Sequence, residues 1–456
     1  MLRRTLFKNF KFVYRVSQWV RKHLTHGGML VIGGIIFSGI FGIDTRQTLS
    51  FQIFFLLTSL LLIAILSNLI FRGQFTIKRK LPEYCTVGQS FTYRITVKNL
   101  TNKIQESLML MEELISPVPT YDEFMYAAKS DKSRNWFDRF VGYPRWLQLI
   151  QKKRGASIPV TPLDLIPAND NLTTNITVTP VHRGYINFKQ STLLRPDPAG
   201  LFNACKSINE KDSLLVLPKR YPVPSIPLPG KRKYQQRGII LASSVGDSQE
   251  FISLRDYRPG DPLRNIHWRS FAKFSKPLVK EYQDEFFVRT GIVLDTFAID
   301  IPETIFEEAV SVAASFINSP QPNDSILDLM FVGLNAHCFT SGRNVSNKRH
   351  MLEILACVKT CHDKPFSDLS TFVSSHAHRL SSLVCILLNW DRSRQDLIKT
   401  LKIAGIPILV FVITQEPDNV SNDLGPMTDT PDLFHVLHQG KIENELTNLK
   451  IRFQTK

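Results

Sequence analysis

The residues best suited to chemistry lie in one block near the middle of the chain, residues 250–281. A Pro259-Gly260 pair indicates a turn there, and charged, aromatic and histidine side chains surround it. Asp261, His267 and Glu281 could act as an acid–base set in a hydrolase. The arginines nearby favour fixed ion pairs instead, and no recognised nucleophile motif accompanies the three residues.

The same block has two structural interpretations. In the first, Trp268 is buried with its indole N–H paired. Arg255, Asp261 and Arg264 then form a partly buried ion network that fixes the orientation of two domains. In the second, the block is a docking face for another protein. Only the buried arrangement should lose much stability when one member is removed.

The block resembles the signature of a bacterial membrane-protein family catalogued as domain of unknown function fifty-eight. The matching residues are Arg255, Asp256, Tyr257, Pro259, Gly260, Asp261, Arg264, Ile266, His267, Trp268, Lys280 and Glu281. Arg183-Gly184-Tyr185 and the run from Asp197 to Phe202 are also similar to the family's elements. Members are typically encoded beside MoxR-type AAA+ ATPases. The resemblance therefore implies such an ATPase as a partner protein, in envelope-related assembly or stress response.

The resemblance also implies that the C-terminal half is similar to a von Willebrand factor type A domain. Such domains often bind Mg²⁺ through an Asp-x-Ser-x-Ser loop after the first strand. Here the loop reads Asp295-Thr-Phe-Ala-Ile, so two hydroxyl ligands are missing. Asp391 could still face Asp295 across the sheet, but two carboxylates alone hold Mg²⁺ weakly. We therefore expect no metal and no other cofactor, with Asp295 capping a helix or pairing with an arginine.

Two apolar runs follow a basic N-terminal segment, residues 1–27. The second run, residues 51–71, has the length of a membrane span, whereas the first, residues 28–43, is short. The first run carries a small-residue stripe on which the second helix could pack: Gly34, Ser38 and Gly42. No small-x-small cleavage site ends the first run. The pattern therefore predicts a two-helix membrane hairpin over residues 28–71 rather than a signal peptide.

Positive charge sets the expected orientation of this hairpin. Seven Lys or Arg residues precede the first run, and Arg46 alone lies in the loop between the runs. Both termini are therefore expected in the cytoplasm, in a multi-pass protein of the bacterial cytoplasmic membrane that contacts lipid. The six scattered cysteines lack the spacing of a disulfide framework, as expected of a reducing compartment.

Beyond the hairpin, the elements that must position the block can also be predicted. Alternating residues over 91–97 and further short strands with turn signals predict a small β-sandwich of immunoglobulin or fibronectin type over residues 74–224. Residues 129–154 interrupt it with eight Lys or Arg among aromatic side chains. This insertion suits an anionic lipid surface, a flap packed on the sandwich, or single-stranded nucleic acid.

The C-terminal part alternates buried strands with amphipathic helices. This predicts a doubly wound α/β domain over residues 291–456, with residues 225–290 as a signature segment that bridges the two domains. The expected fold is thus a transmembrane hairpin, a β-sandwich and an α/β domain in succession.

Three functions are compatible with this organisation: a membrane-tethered, cytoplasmic-facing scaffold, a hydrolase, and a lipid-binding or nucleic-acid-binding protein. The net charge of +16 allows the third, but its clustering beside the apolar runs already suits lipid and disfavours nucleic acid. No P-loop, Gly-x-Ser-x-Gly or Gly-x-Gly-x-x-Gly motif occurs, which disfavours an enzyme. The sequence therefore predicts the scaffold.

Overall fold

The structure is a computed structural model. It describes residues 2–41, 48–69, 71, 73–127, 141–224, 233–234, 251–261, 263, 266–282, 286–298, 301–319, 325–333, 335–341, 345–415 and 423–449. The chain forms two compact units, one of residues 1–219 with 352–358 and the other of residues 220–351 with 359–456.

The first unit begins with three helices, α1 (Leu2–His23), α2 (His26–Phe41) and α3 (Thr48–Leu69). Among the described residues, α3 is the one helix long and apolar enough to cross a membrane, and it covers most of the predicted second run. Helix α2 is apolar but shorter, so the predicted double crossing stays a prediction.

Helix α2 packs closely on α3 because glycines lie at the contact. A Cβ atom at Gly34 would come 3.0 Å from Leu57 Cδ1, and one at Gly39 would come 3.4 Å from the Phe54 ring. Small residues let the two backbones approach closely. The predicted stripe thus serves helix pairing at Gly34, whereas Gly42 lies outside the described residues.

Helix α1 was not predicted. Phe7, Phe10 and Tyr14 lie on one side of it and pack against α4 (Tyr121–Ala127), which precedes the insertion, and α5 (Tyr143–Arg154), which ends it. Trp146 of α5 is completely buried in this cluster. The described part of the insertion is therefore packed against protein, but its aromatic side chains contact α1 and α4, whereas the prediction placed them on the sandwich. Trp146 cannot contact lipid, because its ring is completely buried. Trp136 and Phe140 lie outside the described residues.

Ten strands complete the first unit. They are β1 (Phe75–Lys80), β2 (Tyr84–Thr86), β3 (Phe91–Asn99), β4 (Met109–Leu114), β5 (Ala156–Ser157), β6 (Thr161–Pro162), β7 (Asn171–Pro180), β8 (Gly184–Pro196), β9 (Asn203–Ile208) and β10 (Asp212–Leu217). They pair in two sheets, of order β1-β3-β7-β5 and β2-β10-β8-β4-β6, with β9 also against β8. Alternate residues of β3 point inward and share one core with Phe188 and Val216 of the other sheet. Two sheets around one core form a β-sandwich.

A buried ion cluster also joins the two sheets. Arg79 of β1 donates from Nε to Glu112 of β4 (2.8 Å) and from Nη2 to Ser191 of β8 (2.6 Å). Its Nη1 donates to Asp212 of β10 (3.0 Å). The Arg79 and Glu112 side chains are almost fully buried, and removal of one would leave an unpaired buried charge. The local sequence pattern gives no sign of this cluster.

After Lys219 the elements are β11 (Lys233–Tyr234), β12 (Phe251–Asp256), α6 (Trp268–Phe274), β13 (Leu278–Tyr282), β14 (Phe286–Leu294), α7 (Glu303–Asn318), β15 (Ser325–Val332), β16 (Ala336–Ser341), α8 (Val345–Cys357), α9 (Ser367–His376), β17 (Ser382–Leu387), α10 (Arg392–Ile403), β18 (Ile408–Thr414), β19 (Phe434–His438) and α11 (Ile442–Thr447). The main sheet has the order β16-β15-β14-β17-β18-β19, with β11 also against β14.

This sheet is parallel except at β16 and β11, which run antiparallel to their neighbours. The predicted strand–helix alternation is confirmed as a mixed α/β unit, while β16 and β19 were missed. Strand β14 has β15 on one side and β17 on the other. The strand order therefore reverses at β14. At such a point, side chains that follow the carboxyl ends of neighbouring strands lie close together.

Candidate functional site

The signature block forms a hairpin with a turn and a short helix between its strands. Strands β12 and β13 pair antiparallel, with Arg255 opposite Val279 and Leu254 opposite Lys280. The Asp261 N–H donates to the Arg258 carbonyl (3.0 Å), which closes the turn at Pro259 and Gly260. Gly260 has a φ of 106°, a backbone conformation that favours glycine. The turn indicated by the sequence is therefore present.

An ion pair holds the turn against strand β12. The two terminal guanidinium nitrogens of Arg255 donate to the two carboxylate oxygens of Asp261, each at 2.7 Å. The backbone N–H of Arg258 adds a third donor at 2.9 Å. Hydrogen bonds from Arg255 and Arg258 lower the pKa of Asp261 to about 2. A carboxylate held ionised to that degree is a poor proton acceptor at neutral pH, so Asp261 is unsuited to be a general base.

His267 precedes helix α6 and makes local contacts. Its N–H donates to the Leu278 carbonyl (2.8 Å), and its ring Nδ1 lies 2.6 Å from Ser270 Oγ. Glu281 contributes backbone to β13, while its side chain and Arg264 lie outside the described residues. Among the contacts of the described residues, His267 is joined to Ser270 rather than to Asp261.

The remaining signature residues frame the hairpin. Tyr257 donates its N–H to the Pro277 carbonyl (3.0 Å), and Asp256 ends β12 opposite Leu278 with an exposed side chain. Lys280 is half-buried on β13. These positions stabilise the hairpin through backbone pairing.

Trp268 is 61% exposed, so the prediction that it is buried is wrong. The physical reason is the register of the hairpin. Ile266 pairs with Val279, and both side chains are buried. Trp268 comes two residues later, on the first turn of α6, where its side chain is exposed. The Trp268 ring lies edge-on to Phe271 with centroids 6.1 Å apart. Leu263 and Phe271 are exposed as well. We call Leu263, Trp268 and Phe271 the aromatic face.

The sequence that carries the aromatic face is basic. Between Asp261 and Glu281 the sequence contains no acidic residue and five basic ones: Arg264, Arg269, Lys273, Lys276 and Lys280. Of these, Arg269, Lys273 and Lys276 have exposed side chains. Trp and Arg are enriched in the cores of protein interfaces, where an aromatic anchor fills a pocket and polar groups form the rim. The arrangement is suited to bind an acidic protein surface.

The second predicted site, at the carboxyl end of β14, contains an arginine. Arg394 of α10 donates from Nε to Asp295 (2.7 Å) and from Nη1 to Asp391 (2.6 Å). Its Nη2 donates to the Phe297 carbonyl (3.0 Å), and its guanidinium lies 4.8 Å from the centroid of the Phe366 ring. The predicted pairing of Asp295 with an arginine is thus present, and Asp391 also caps α10 by accepting the Arg394 N–H.

This cation is incompatible with the metal site that the resemblance implied. Burial raises the pKa of Asp295, and the Arg394 guanidinium opposes that rise together with the N–H groups of Phe297 and Leu388. The guanidinium lies between the two carboxylates where Mg²⁺ would have to bind. In the described part of the chain, no group of three His, Cys, Asp or Glu side chains is arranged to hold a metal ion. Arg394 was missed, although its i, i+3 spacing from Asp391 was a usable signal.

A third arrangement fixes the sandwich to the N-terminal helices. Asp197 in the loop after β8 accepts the N–H groups of Leu201 and Phe202, each at 2.6 Å. The Leu201 carbonyl in turn accepts the N–H of Thr25, between α1 and α2, at 3.2 Å. Lys22 pairs with Glu113 of β4 (2.8 Å). The loop from Asp197 to Phe202 therefore holds the helix junction against the sandwich.

No family model matches the chain. The uncharacterized protein YeaD of Bacillus subtilis (strain 168) is 26% identical over 180 residues, which cover 39% of this chain and 43% of that protein. The chain thus matches less than half the length of that relative.

Two solved structures give weak likenesses. The CARDB domain of the PF1109 protein from Pyrococcus furiosus, in complex with di-metal ions, has a TM-score of 0.16 and 13% identity, over 32% of this chain and 89% of that chain. Native alpha-2-macroglobulin of E. coli has a TM-score of 0.18 and 11% identity, over 35% of this chain and 8% of that chain. At such scores the description of the fold rests on the strand order and the core alone.

Proposed function

We propose that this protein is a membrane-tethered interaction protein whose aromatic face binds a partner protein. The observation that carries the proposal is the exposure of Trp268 and Phe271 on a hairpin that Arg255 and Asp261 hold rigid. Exposed aromatic side chains on a fixed scaffold lose little entropy on binding and supply the anchors of protein interfaces.

The tether is helix α3. The Asp197 loop and Lys22 attach the sandwich to α1 and to its junction with α2, and α2 packs on α3. In this proposal α2 and α3 form a hairpin in the bacterial cytoplasmic membrane, with both termini in the cytoplasm. The basic residues before α2 support that orientation, because positive loops stay on the cytoplasmic side.

The resemblance of the signature block to the domain of unknown function fifty-eight family supports a MoxR-type AAA+ ATPase as the partner. The basic rim of the aromatic face requires an acidic surface on that ATPase. The resemblance further supports a von Willebrand factor A-like role for the α/β unit and work in envelope-related assembly or stress response. The Arg394–Asp295 pair means that this role does not depend on a metal ion at that position.

Capture of the ATPase by the full-length protein tests the proposal. The tagged chain, solubilised in detergent, is incubated with the purified ATPase, with and without a non-hydrolysable ATP analogue. Trp268→Ala should weaken binding by roughly 30-fold, because an interface anchor contributes about 2 kcal/mol or more. The matched control is Ile403→Ala, since Ile403 is 79% exposed on α10 and lies outside the face.

The same variants separate docking from a structural role. Trp268→Ala should change the free energy of unfolding by less than about 1 kcal/mol, as surface substitutions usually do. Equal capture by Trp268→Ala and the unsubstituted chain, or no capture of the ATPase at all, would contradict the proposal. A large loss of stability in Trp268→Ala would show that Trp268 is buried and has a structural role.

A further inference from the structure

Helix α1 carries three rows of side chains. In each row the residues are three or four positions apart, so they lie on the same side of the helix. The first row is Phe7, Phe10 and Tyr14, which packs on the flap. The Phe7 and Phe124 ring centroids are 5.3 Å apart, and those of Tyr14 and Trp146 are also 5.3 Å apart. This row, together with the Lys22–Glu113 pair, fixes α1 to the first unit. The other two rows are largely at the surface, although the Trp19 ring lies edge-on to Phe202 with centroids 6.3 Å apart.

The second row is apolar and exposed. Phe12, Val16 and Trp19 are 67%, 43% and 52% exposed, and Val13 beside them is exposed too. Contiguous apolar side chains at a protein surface mark a site of interaction with another protein or with a membrane. The row contains both Phe and Trp, which are typical of the apolar side of helices that lie in the membrane interface.

The third row is basic and separates the other two. At 100° per residue, Lys8, Lys11 and Arg15 lie between the packed row and the apolar row. All three side chains are exposed. The first 22 residues contain no acidic residue, so nothing in α1 itself offsets this charge. A basic row beside an apolar row complements a leaflet with anionic headgroups over its acyl chains.

The position of α1 in the chain points to the same occupant. Only Leu24 and Thr25 separate α1 from α2, and α2 packs on the spanning helix α3. In the proposed membrane hairpin, the C-terminal end of α1 is therefore within a few residues of the membrane boundary. Lipid would then lie closer to the apolar row than a second copy or a soluble partner could.

We propose that α1 lies in the membrane interface, with Phe12, Val16 and Trp19 at the headgroup–acyl boundary and Lys8, Lys11 and Arg15 on anionic lipid phosphates. The sandwich is then held at the leaflet through the packed row of α1. This inference rests on the tether of the proposed function and is independent of the partner at the aromatic face.

Spin labels on the full-length chain test the proposal. Val16→Cys places a nitroxide in the apolar row, and Gln18→Cys places one on the opposite, exposed side of the same helix. Both variants carry Cys357→Ser, which removes the cysteine described as exposed, and the chain without an added cysteine gives the background. The proteins are reconstituted in vesicles of phosphatidylglycerol and phosphatidylcholine. Resistance to an alkaline wash verifies insertion of α3.

We expect oxygen, but not a water-soluble nickel chelate, to relax the Val16 label, at a depth of about 5–10 Å below the headgroups. The Gln18 label should remain accessible to the chelate. Phosphatidylcholine alone, or replacement of Lys8, Lys11 and Arg15 by Gln, should move the Val16 label toward water, because each cation contributes to anionic-lipid binding.

Four results would overturn the proposal. Equal access of the chelate to both labels in alkali-resistant samples would place the apolar row in water. Equal depth of the Val16 label in neutral and anionic vesicles would show that the basic row does not bind anionic lipid. Strong dipolar coupling between Val16 labels would show that a second copy covers the row. Extraction of the chain by alkali would overturn both this inference and the membrane tether.

Discussion

Arg394 supplies the positive charge that compensates two neighbouring carboxylates, those of Asp295 and Asp391. Its Nε and Nη1 pair with Asp295 and Asp391, and the Asp295 side chain is completely buried. Removal of the arginine leaves an uncompensated charge in the core, which costs about 3–5 kcal/mol. Arg394→Ala should therefore lower the free energy of unfolding by that amount, measured by urea titration of the detergent-solubilised chain.

Arg392→Ala is the matched control, because Arg392 lies two residues earlier on the same helix with an exposed side chain. It should change the unfolding free energy by no more than about 0.5 kcal/mol. Similar effects of the two substitutions would show that the buried pair has no special role.

Asp261 gives a prediction on pH. Its pKa of about 2 lies below the ordinary value of about 3.9, so its ion pair with Arg255 stabilises the fold above about pH 4 and loses that effect as the pH falls towards 2. Arg255→Gln should raise the pKa of Asp261 towards the ordinary value, followed by NMR of the carboxyl carbon. Arg269→Gln should leave it unchanged. A pKa of Asp261 near 4 in the unsubstituted chain would contradict the clamped turn.

At the scale of elements, the flap fixes α1 through Trp146. Trp146→Ala removes a completely buried ring from the cluster with Phe10 and Ile150, at a cost of about 3–5 kcal/mol. We expect the N-terminal part of α1 to detach, while Lys22 still holds its C-terminal end, so that trypsin cleaves at Lys8, Lys11 or Arg15 faster than in the unsubstituted chain. Gln148→Ala, an exposed position on the same helix, is the control. Unchanged proteolysis of Trp146→Ala would show that α1 is held elsewhere.

An element could be predicted where the order of apolar and polar residues along the chain reflects which side chains are buried. Strand β3 alternates and β17 is buried throughout, so both show in the sequence. Helix α1 does not, because its apolar residues form two rows divided by lysines and arginines. Trp268 could be singled out by type, but its direction depends on Ile266 pairing with Val279. Arg394 meets Asp295 across 99 residues, a contact that no local pattern contains.

At the scale of the whole molecule, the proposed function joins a membrane tether to a docking face. Helix α3 can cross a membrane, the Asp197 loop holds the helix junction, and the aromatic face presents Trp268 on a rigid hairpin. The function proposed for the chain is therefore to hold a partner protein close to the membrane.

Photo-crosslinking in native membranes tests this central claim most directly. A benzophenone-bearing amino acid replaces Trp268 in the full-length chain, and a second variant carries it at Ile403, which is even more exposed. After illumination, we expect position 268 to form a covalent adduct that mass spectrometry identifies as the AAA+ ATPase, and position 403 to form none. No adduct at 268, the same adduct at both positions, or a crosslink of 268 within its own chain would contradict the account.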